Sequence, residues 1–162
     1  MKDISMAYPE EKFKSYQLLL SQMRSLLEDE QDVTANLANA SALLNEALKD
    51  INWVGFYLMK NDELILGPFQ GKVACVHIPI GKGVCGTAVS ENRTQLVKNV
   101  HEFPGHIACD SASNSEIVIP LRSNDKVVGV LDIDSPLIGR FDNIDASELE
   151  KLAMVIEEAC YW

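Results

Sequence analysis

Apolar residues recur at helical spacing in two stretches near the start of the chain. The first stretch runs from about Pro9 to Glu28 and the second from about Val33 to Lys49, with an acidic turn between them. Steps of three and four residues place one apolar face on each predicted helix. The two faces consist of Phe13, Tyr16, Leu20, Met23 and Leu27, and of Val33, Leu37, Ala40, Leu44 and Leu48. We expect both helices to cover a sheet, and the first is also a candidate dimer contact.

From Ile51 onward the pattern changes to short apolar runs separated by turn residues. Such runs predict strands, and the close turns between them predict antiparallel hairpins. The predicted strands are Trp53–Met59, Glu63–Leu66, Val73–Ile78, Gln95–Val100, Ile117–Leu121 and Val127–Asp134, with a loop at Gly67–Gly71 and a short helix at Thr87–Glu91. A last helix is expected over Ala146–Tyr161, capped by Asp145. This order predicts an α+β fold with terminal helices packed on one face of the sheet.

Length and composition narrow the class of protein. The chain has 162 residues, of which 47% are hydrophobic, and a formal net charge of -10. These values fit one domain over residues 1–162, with helices in 1–50, the sheet in 51–135 and a closing helix in 145–162. An acidic surface argues against binding nucleic acid or an anionic membrane. The sequence shows no signal peptide or membrane span, so we expect a cytoplasmic protein with reduced thiols.

One polar stretch has neither the alternation of a strand nor the period of a helix. Gly105–Glu116 holds a histidine, a cysteine, two carboxylates, three serines and an asparagine within twelve residues. Loops of this kind often carry chemistry. A surface loop with an incidental thiol is an equally good interpretation of this stretch alone.

Two glycine-rich stretches resemble nucleotide-binding motifs in their letters only. Gly81–Gly86 matches G-x-G-x-x-G, but the helix after it has room for about five residues, so we interpret it as a tight turn. Gly67–Lys72 is one residue too short for a phosphate-binding loop. Cys75, His77, Cys85, His106 and Cys109 are the candidate metal ligands, and no regular pair spacing anchors them. We therefore expect no metal and no cofactor, with metal binding at these residues kept as a minor alternative.

The cysteines and the acids suggest chemistry when they are considered together. Cys75, Cys85 and Cys109 each lie in or beside a glycine-bearing loop, whereas Cys160 near the C-terminus is interpreted as a packing thiol. If the three loop thiols converge, one can attack a substrate and another can resolve the product, as in thiol redox enzymes.

Two acids lie on a strand that is otherwise apolar. Asp132 and Asp134 are two residues apart and therefore share one face, and Glu116 opens the preceding strand. Buried acids need partners or retain a proton. They either cap turns or bind an ammonium group, with one acid placed to donate a proton, and we favour the second interpretation.

Six segments in order resemble the free methionine-(R)-sulfoxide reductases, which are GAF-domain enzymes. The segments are Asn52–Tyr57, Leu66–Gly71, Gly81–Gly86, Gly105–Asp110, Ser115–Glu116 and Gly129–Ser135. The resemblance implies a GAF fold with a six-stranded antiparallel sheet. It also implies reduction of free L-methionine (R)-sulfoxide to L-methionine through a cysteine sulfenic acid and a disulfide, with thioredoxin as the reductant and a homodimer as the assembly.

The same resemblance implies a role for each matching residue. Cys109 would be the attacking thiol, Cys75 the principal resolving thiol, and Cys85 an auxiliary thiol that sometimes forms the disulfide instead. The substrate's amino group and sulfoxide oxygen would be held by Glu116, Asp132 and Asp134, with Glu116 or Asp134 as proton donor, and its methyl end by an aromatic wall of Trp53 and Tyr57. Acids near Cys109 disfavour its thiolate, which His106 could offset.

The competing class is a non-catalytic GAF module that senses a small ligand or the redox state. Such modules usually accompany an output domain, for which 162 residues leave no room. The Asn-Lys…Phe…Asp-Glu pattern of cyclic-nucleotide-binding members is also missing. A redox sensor would form a disulfide with peroxide and would not turn over a sulfoxide.

Overall fold

Backbone hydrogen bonds join six strands into one antiparallel sheet within residues 11–107 and 111–162, the parts of the chain that the computed structural model describes. The strands are β1 (Trp53–Lys60), β2 (Glu63–Gly71), β3 (His77–Pro79), β4 (Gln95–Val97), β5 (Ser115–Ser123) and β6 (Lys126–Ser135). The helices of the same residues are α1 (Lys12–Leu27), α2 (Val33–Ala47), α3 (Gly83–Glu91) and α4 (Asn143–Ala159), with a 3₁₀ helix at Val100–Glu102. In these described parts, every helix is too short or too polar to traverse a lipid bilayer.

The strand order in the sheet is β3-β2-β1-β6-β5-β4, and every neighbouring pair is antiparallel. The strands with the most continuous apolar sequence, β1, β5 and β6, therefore lie away from the edges. Helices α2 and α4 pack on one face of this sheet, and α1 packs against these two helices in the same core. The predicted α+β fold, with a six-stranded antiparallel sheet and terminal helices on one face, is confirmed.

The two faces of the sheet contact different helices. Val54 and Phe56 of β1 point into a core cluster that includes residues of α1, α2 and α4. Trp53 and Tyr57 alternate with them along the strand and point into a second cluster with α3. Because side chains alternate across a strand, β1 contributes to the large apolar core on one face and to a smaller, polar-lined pocket on the other.

The loop predicted at Gly67–Gly71 is wrong, because β2 continues to Gly71. The register between β1 and β2 shifts between Gly55 and Tyr57, so two residues of β2, including Pro68, lie opposite one residue of β1. A proline is tolerated at such a bulge because it lacks the N–H that a regular ladder requires. The proline and glycine of this stretch therefore mark a bulge within a strand.

Two other strands are shorter than the apolar pattern predicts. β3 covers only His77–Pro79, and the preceding residues form an irregular segment. β4 ends at Val97, and a 3₁₀ helix follows in which the Asn99 side chain accepts a hydrogen bond from the His101 N–H. Side chains that bond to nearby backbone groups compete with strand pairing in this way.

Helix α3 begins inside the glycine-rich stretch that the sequence analysis interprets as a turn. It has nine residues, from Gly83 to Glu91. Gly86 lies in its first half, and a Cβ there would meet the Pro79 carbonyl oxygen at 2.4 Å. Glycine at this position permits the close packing of α3 against β3.

The predicted apolar face of α1 is buried except at its first residue. Tyr16, Leu20, Met23 and Leu27 are buried, whereas Phe13 is 48% exposed. The predicted start of this helix at Pro9 lies outside the described residues.

The predicted cap of the last helix is also wrong. Asp142 is the N-cap of α4, and Asp145 is the third helical residue, fully buried, in a reciprocal capping box. The Asp145 carboxylate accepts hydrogen bonds from the Tyr16 hydroxyl and, at 2.8 Å, from the Lys12 ammonium. The Arg140 guanidinium lies 3.5 Å away. This buried carboxylate joins α1 to α4.

We expect Asp145→Asn to destabilise the protein by roughly 2–3 kcal/mol, because it removes the charge that two cations and a phenol surround in a buried site. The matched control is Asp142→Asn at the same helix start, which keeps a capping side chain and should cost less than about 1 kcal/mol. Urea unfolding of the three proteins measures both values. Equal effects of the two substitutions would show that the buried network contributes no more than the cap.

Candidate active site

Strand pairing brings three acids together on the sheet face that α3 covers. Glu116 of β5 lies directly opposite Asp134 of β6, and Asp132 is two residues earlier on β6. Residues in these relations share a face. Glu116 and Asp132 are only 7% and 5% exposed. The sequence analysis predicted a shared face for the two aspartates, and the register adds Glu116 to it.

Helix α3 places a thiol against these acids. Cys85 lies in the first turn of α3, rather than in a loop, and is 4% exposed. Its Sγ and one carboxylate oxygen each of Glu116 and Asp132 lie within 4.8 Å of one another. Cys85 lies close to the acids because α3 begins inside the glycine-rich stretch.

Burial changes the proton affinity of this cluster. Loss of solvent, and then the negative charges of Asp132 and Asp134, raise the pKa of Glu116 well above its ordinary value. Burial also raises the pKa of Asp132 and that of the Cys85 thiol. Among the described residues, no lysine or arginine forms an ion pair with Glu116 or Asp132. The cluster therefore retains protons and favours a positively charged ligand.

Three aromatic rings form one wall beside the acids. The Trp53 ring stacks on Tyr57 with centroids 5.9 Å apart and on Phe69 with centroids 5.1 Å apart. Phe69 was not among the predicted site residues, because the sequence pattern predicts a loop there rather than part of β2. Phe69 is the single aromatic residue in Leu66–Gly71, and this was the available signal.

The same aromatic residues hold the segment that carries Cys75. The Trp53 indole N–H donates to the Lys72 carbonyl at 3.1 Å, and the Tyr57 hydroxyl donates to the Cys75 carbonyl at 2.8 Å. The carbonyl groups of Lys72 and Cys75 thus have side-chain donors rather than strand partners, and these two bonds hold the segment against β1. They also fix the backbone of Cys75 relative to the aromatic wall.

The thiols differ in their state. Cys75 is disulfide-bonded, whereas Cys85 and Cys160 are free and buried. Cys160 lies in the core cluster of the opposite face, which fits the packing role predicted for it. Cys109 lies outside the described residues, so its predicted role as the attacking thiol stays a prediction.

The polar loop that the sequence analysis singles out is described at both of its ends. The Asn52 side chain donates to the Ser113 hydroxyl at 3.0 Å, and the Asn114 side chain donates to the Pro136 carbonyl at 2.8 Å. Burial, together with the charge of His101, lowers the pKa of His106, which makes a neutral imidazole more favourable there. His106 is thus a weaker source of positive charge than the sequence analysis supposes.

One cavity collects most of the predicted site residues. Trp53, Tyr57, Cys85, Glu116, Asp132 and Asp134 all line it. Its volume is about 40 Å³, and its mouth is open to solvent. Lys82, His106 and Ser113 also line it, and the sequence analysis assigned no ligand contact to any of them. An aromatic wall beside buried acids on the same sheet face suits a small molecule with an ammonium group and an apolar end.

Comparison with known proteins agrees with this architecture. A family model described as GAF domain matches residues 32–159. The fold and this match thus define a GAF-domain protein. The chain belongs to the GAF domain family, and the resemblance to its free methionine-(R)-sulfoxide reductases is confirmed by the following relatives.

The Escherichia coli (strain K12) free methionine-R-sulfoxide reductase is 54% identical over 147 residues, which cover 91% of this chain and 89% of the relative. The reduced form of fRMsr of Staphylococcus aureus is 62% identical with a TM-score of 0.88, covering 89% of this chain and 94% of that one. The free methionine-R-sulfoxide reductase from Neisseria meningitidis, solved in complex with its substrate, is 45% identical with a TM-score of 0.93, covering 97% and 95%.

We expect Glu116→Gln to stabilise the protein by about 1 kcal/mol or more at pH 7.5, which corresponds to a rise of about 3 °C in Tm. The folded-state pKa of Glu116 is raised, so its ionisation costs folding free energy once the pH exceeds the ordinary value of 4.5. The gain should be small below that pH and should increase as the pH rises.

Thermal unfolding between pH 4 and pH 8 measures this gain, and Glu150→Gln on the exposed surface of α4 is the matched control. A gain that does not change with pH would contradict the electrostatic origin and indicate a packing effect.

Proposed function

We propose that this chain reduces free L-methionine (R)-sulfoxide to L-methionine. The observation that carries the proposal is the set of carboxyl groups, with Glu116 and Asp132 buried, that lies beside an aromatic wall in one cavity. The similarity to proteins named for this activity supports it independently. The substrate offers the two features that this cavity complements, an α-ammonium group and a methyl sulfoxide end.

Substrate binding places the ammonium group against Glu116, Asp132 and Asp134. A cation between these acids relieves the free-energy cost of burying their charge. The methyl end packs on Trp53 and Tyr57. Selection for the free amino acid follows, because a peptide nitrogen carries no charge and would leave the buried acids without a partner.

The reaction begins with attack of the Cys109 thiolate on the sulfoxide sulfur. Glu116 or Asp134 donates a proton to the sulfoxide oxygen, which makes the sulfur a better electrophile. The raised pKa of Glu116 means that this acid still holds a proton at higher pH than an ordinary carboxyl group. Methionine leaves with the lone pair on sulfur, and the oxygen remains on Cys109 as a sulfenic acid.

Cys75 resolves the sulfenic acid. Its thiol condenses with Cys109, a disulfide forms and one water is released. The presence of Cys75 in a disulfide supports its participation in such chemistry. Cys85 is the auxiliary thiol, and its burial against Asp132 disfavours its thiolate, which supports Cys75 as the principal resolving residue. A dithiol reductant, thioredoxin, returns the disulfide to two thiols.

The proposed cellular location is the cytoplasm, because thioredoxin and other dithiol reductants are kept reduced there. The active assembly is a homodimer. The half-exposed Phe13 on α1 supports a contact through that helix, and analytical ultracentrifugation of Phe13→Glu tests it.

The deciding experiment measures turnover of free methionine sulfoxide with its R and S epimers separated and with thioredoxin as the reductant. Consumption of the free R epimer alone is the expected result. Consumption of neither epimer, with a disulfide formed on exposure to peroxide, would overturn the proposal in favour of a redox sensor.

We expect Cys109→Ser to abolish turnover, because no other thiol is proposed to attack the sulfoxide. Cys75→Ser should release about one methionine per chain and then stop, since the sulfenic acid has no principal resolving partner. Rapid-quench analysis of released methionine separates these outcomes. Cys160→Ser is the control, because that thiol lies in the core of the opposite face, and it should retain full turnover. Turnover by Cys109→Ser would contradict the assignment.

We expect Tyr57→Phe to release the first methionine normally but to slow steady-state turnover about fivefold. The ring stays in the aromatic wall, whereas the hydrogen bond to the Cys75 carbonyl is lost, at a cost of about 1 kcal/mol in positioning. Burst amplitude and steady-state rate measure the two effects. The control is Tyr161→Phe, a tyrosine that is 81% exposed. A slowed first release would instead place the hydroxyl in substrate binding.

A further inference from the structure

Three potential metal ligands from three separate elements meet in the wall of the cavity. They are Cys85 from α3, Glu116 from β5 and Asp132 from β6, and one ligand atom of each lies within 4.8 Å of the others. All three residues are less than a tenth exposed. A cation at the roughly 2.0–2.3 Å typical of zinc ligands would draw such atoms slightly closer together.

A second observation indicates that this cluster accepts a ligand. Within the described residues, Oδ1 of Asp132 is buried and receives no hydrogen bond. Asp132 is 5% exposed and lines the cavity. A buried carboxylate oxygen without a donor is costly, and a cation in the cavity would satisfy it.

The donor set selects the class of ion. Two carboxylates and a thiolate suit zinc and similar borderline-soft divalent ions, whereas magnesium and calcium prefer oxygen ligands alone. Three protein ligands also leave a coordination position open towards the cavity. Such a site resembles an exchangeable site more than a closed structural one.

We infer that Cys85, Glu116 and Asp132 form a binding site for a zinc-class divalent cation, which competes with the ammonium group of the substrate. Ion binding at these three residues does not depend on whether the chain catalyses the proposed reaction. The competition rests on the proposed function, because it requires the amino acid to use the same acids. Occupancy by the ion would hold the enzyme in a substrate-free, inhibited state.

Cys85 distinguishes the ion from the ammonium group. A thiolate strengthens binding of a zinc-class ion, whereas the proposed ammonium contacts involve only carboxylates. The same residue makes the site sensitive to oxidation, since a Cys85 that has formed a disulfide cannot ligate. The described structure has Cys85 free while Cys75 is disulfide-bonded, so the ligand set is present in the oxidised state of Cys75.

The test titrates the full chain with Zn²⁺ by calorimetry after oxidation, so that the Cys75 thiol does not contribute. We expect one zinc ion per chain, a dissociation constant raised more than about tenfold in Cys85→Ser and in Asp132→Asn, and no change in Cys160→Ser. Co²⁺ serves as the spectroscopic probe and should show a thiolate-to-cobalt absorption band that Cys85→Ser removes. Mg²⁺ should bind much more weakly than Zn²⁺.

Zinc binding that is unchanged in both cluster variants would overturn the site. Cobalt binding without the thiolate band would also overturn it, even if Cys85→Ser fails to fold. Either result is independent of whether the chain reduces a sulfoxide.

The competition is tested with reduced Cys75→Ser protein, which is expected to release one methionine. Zn²⁺ should slow this release, and excess sulfoxide should restore the rate. In the double variant that also carries Cys85→Ser, the zinc concentration that halves the rate should be more than about tenfold higher. Inhibition that persists unchanged without Cys85 would assign the zinc effect to another thiol and refute the competition. Absence of methionine release before zinc is added would refute the proposed function alone.

Discussion

Burial of several carboxyl groups on one sheet face is the constraint on which the site depends. An ionised carboxylate removed from water costs several kcal/mol unless a partner compensates it. The described structure supplies no lysine or arginine ion pair to Glu116 or Asp132. The protein therefore keeps protons on this cluster or recruits a cation from solution. The proposed reaction uses both responses, because it needs a site that holds an amino group and an acid that protonates an oxygen.

The opposite face of the sheet provides the stability that this arrangement requires. Helices α1, α2 and α4 bury a continuous apolar core there. Asp145, a carboxylate fully buried in that layer, has cationic and phenolic partners and a helix N-terminus beside it. The contrast between Asp145 and Asp132 shows how partners separate a structural acid from one proposed to bind a ligand.

Sequence patterns predicted the features that depend on local periodicity, namely the main strands and the helices. The apolar runs of β1, β5 and β6 and the stripes of the helices were sufficient for the fold class. The β2 extension was missed because Pro68 signals a turn as readily as a bulge, and the cap of α4 was misplaced because Asp142 and Asp145 are both good caps. The pairing of Glu116 with Asp134, and the position of Cys85 over the acids, depend on register and on helix docking, which no local pattern determines.

The two faces of β1 contribute to different parts of the protein, and this affects which substitutions the strand tolerates. Val54 and Phe56 belong to the helix-covered core, while Trp53 and Tyr57 belong to the pocket. Substitutions beneath the helices can therefore change thermal tolerance with little effect on ligand selectivity, and pocket substitutions can do the reverse. An insertion or deletion of one residue in β1 would exchange the two sets, so drift in this strand is restricted to replacements that preserve its length.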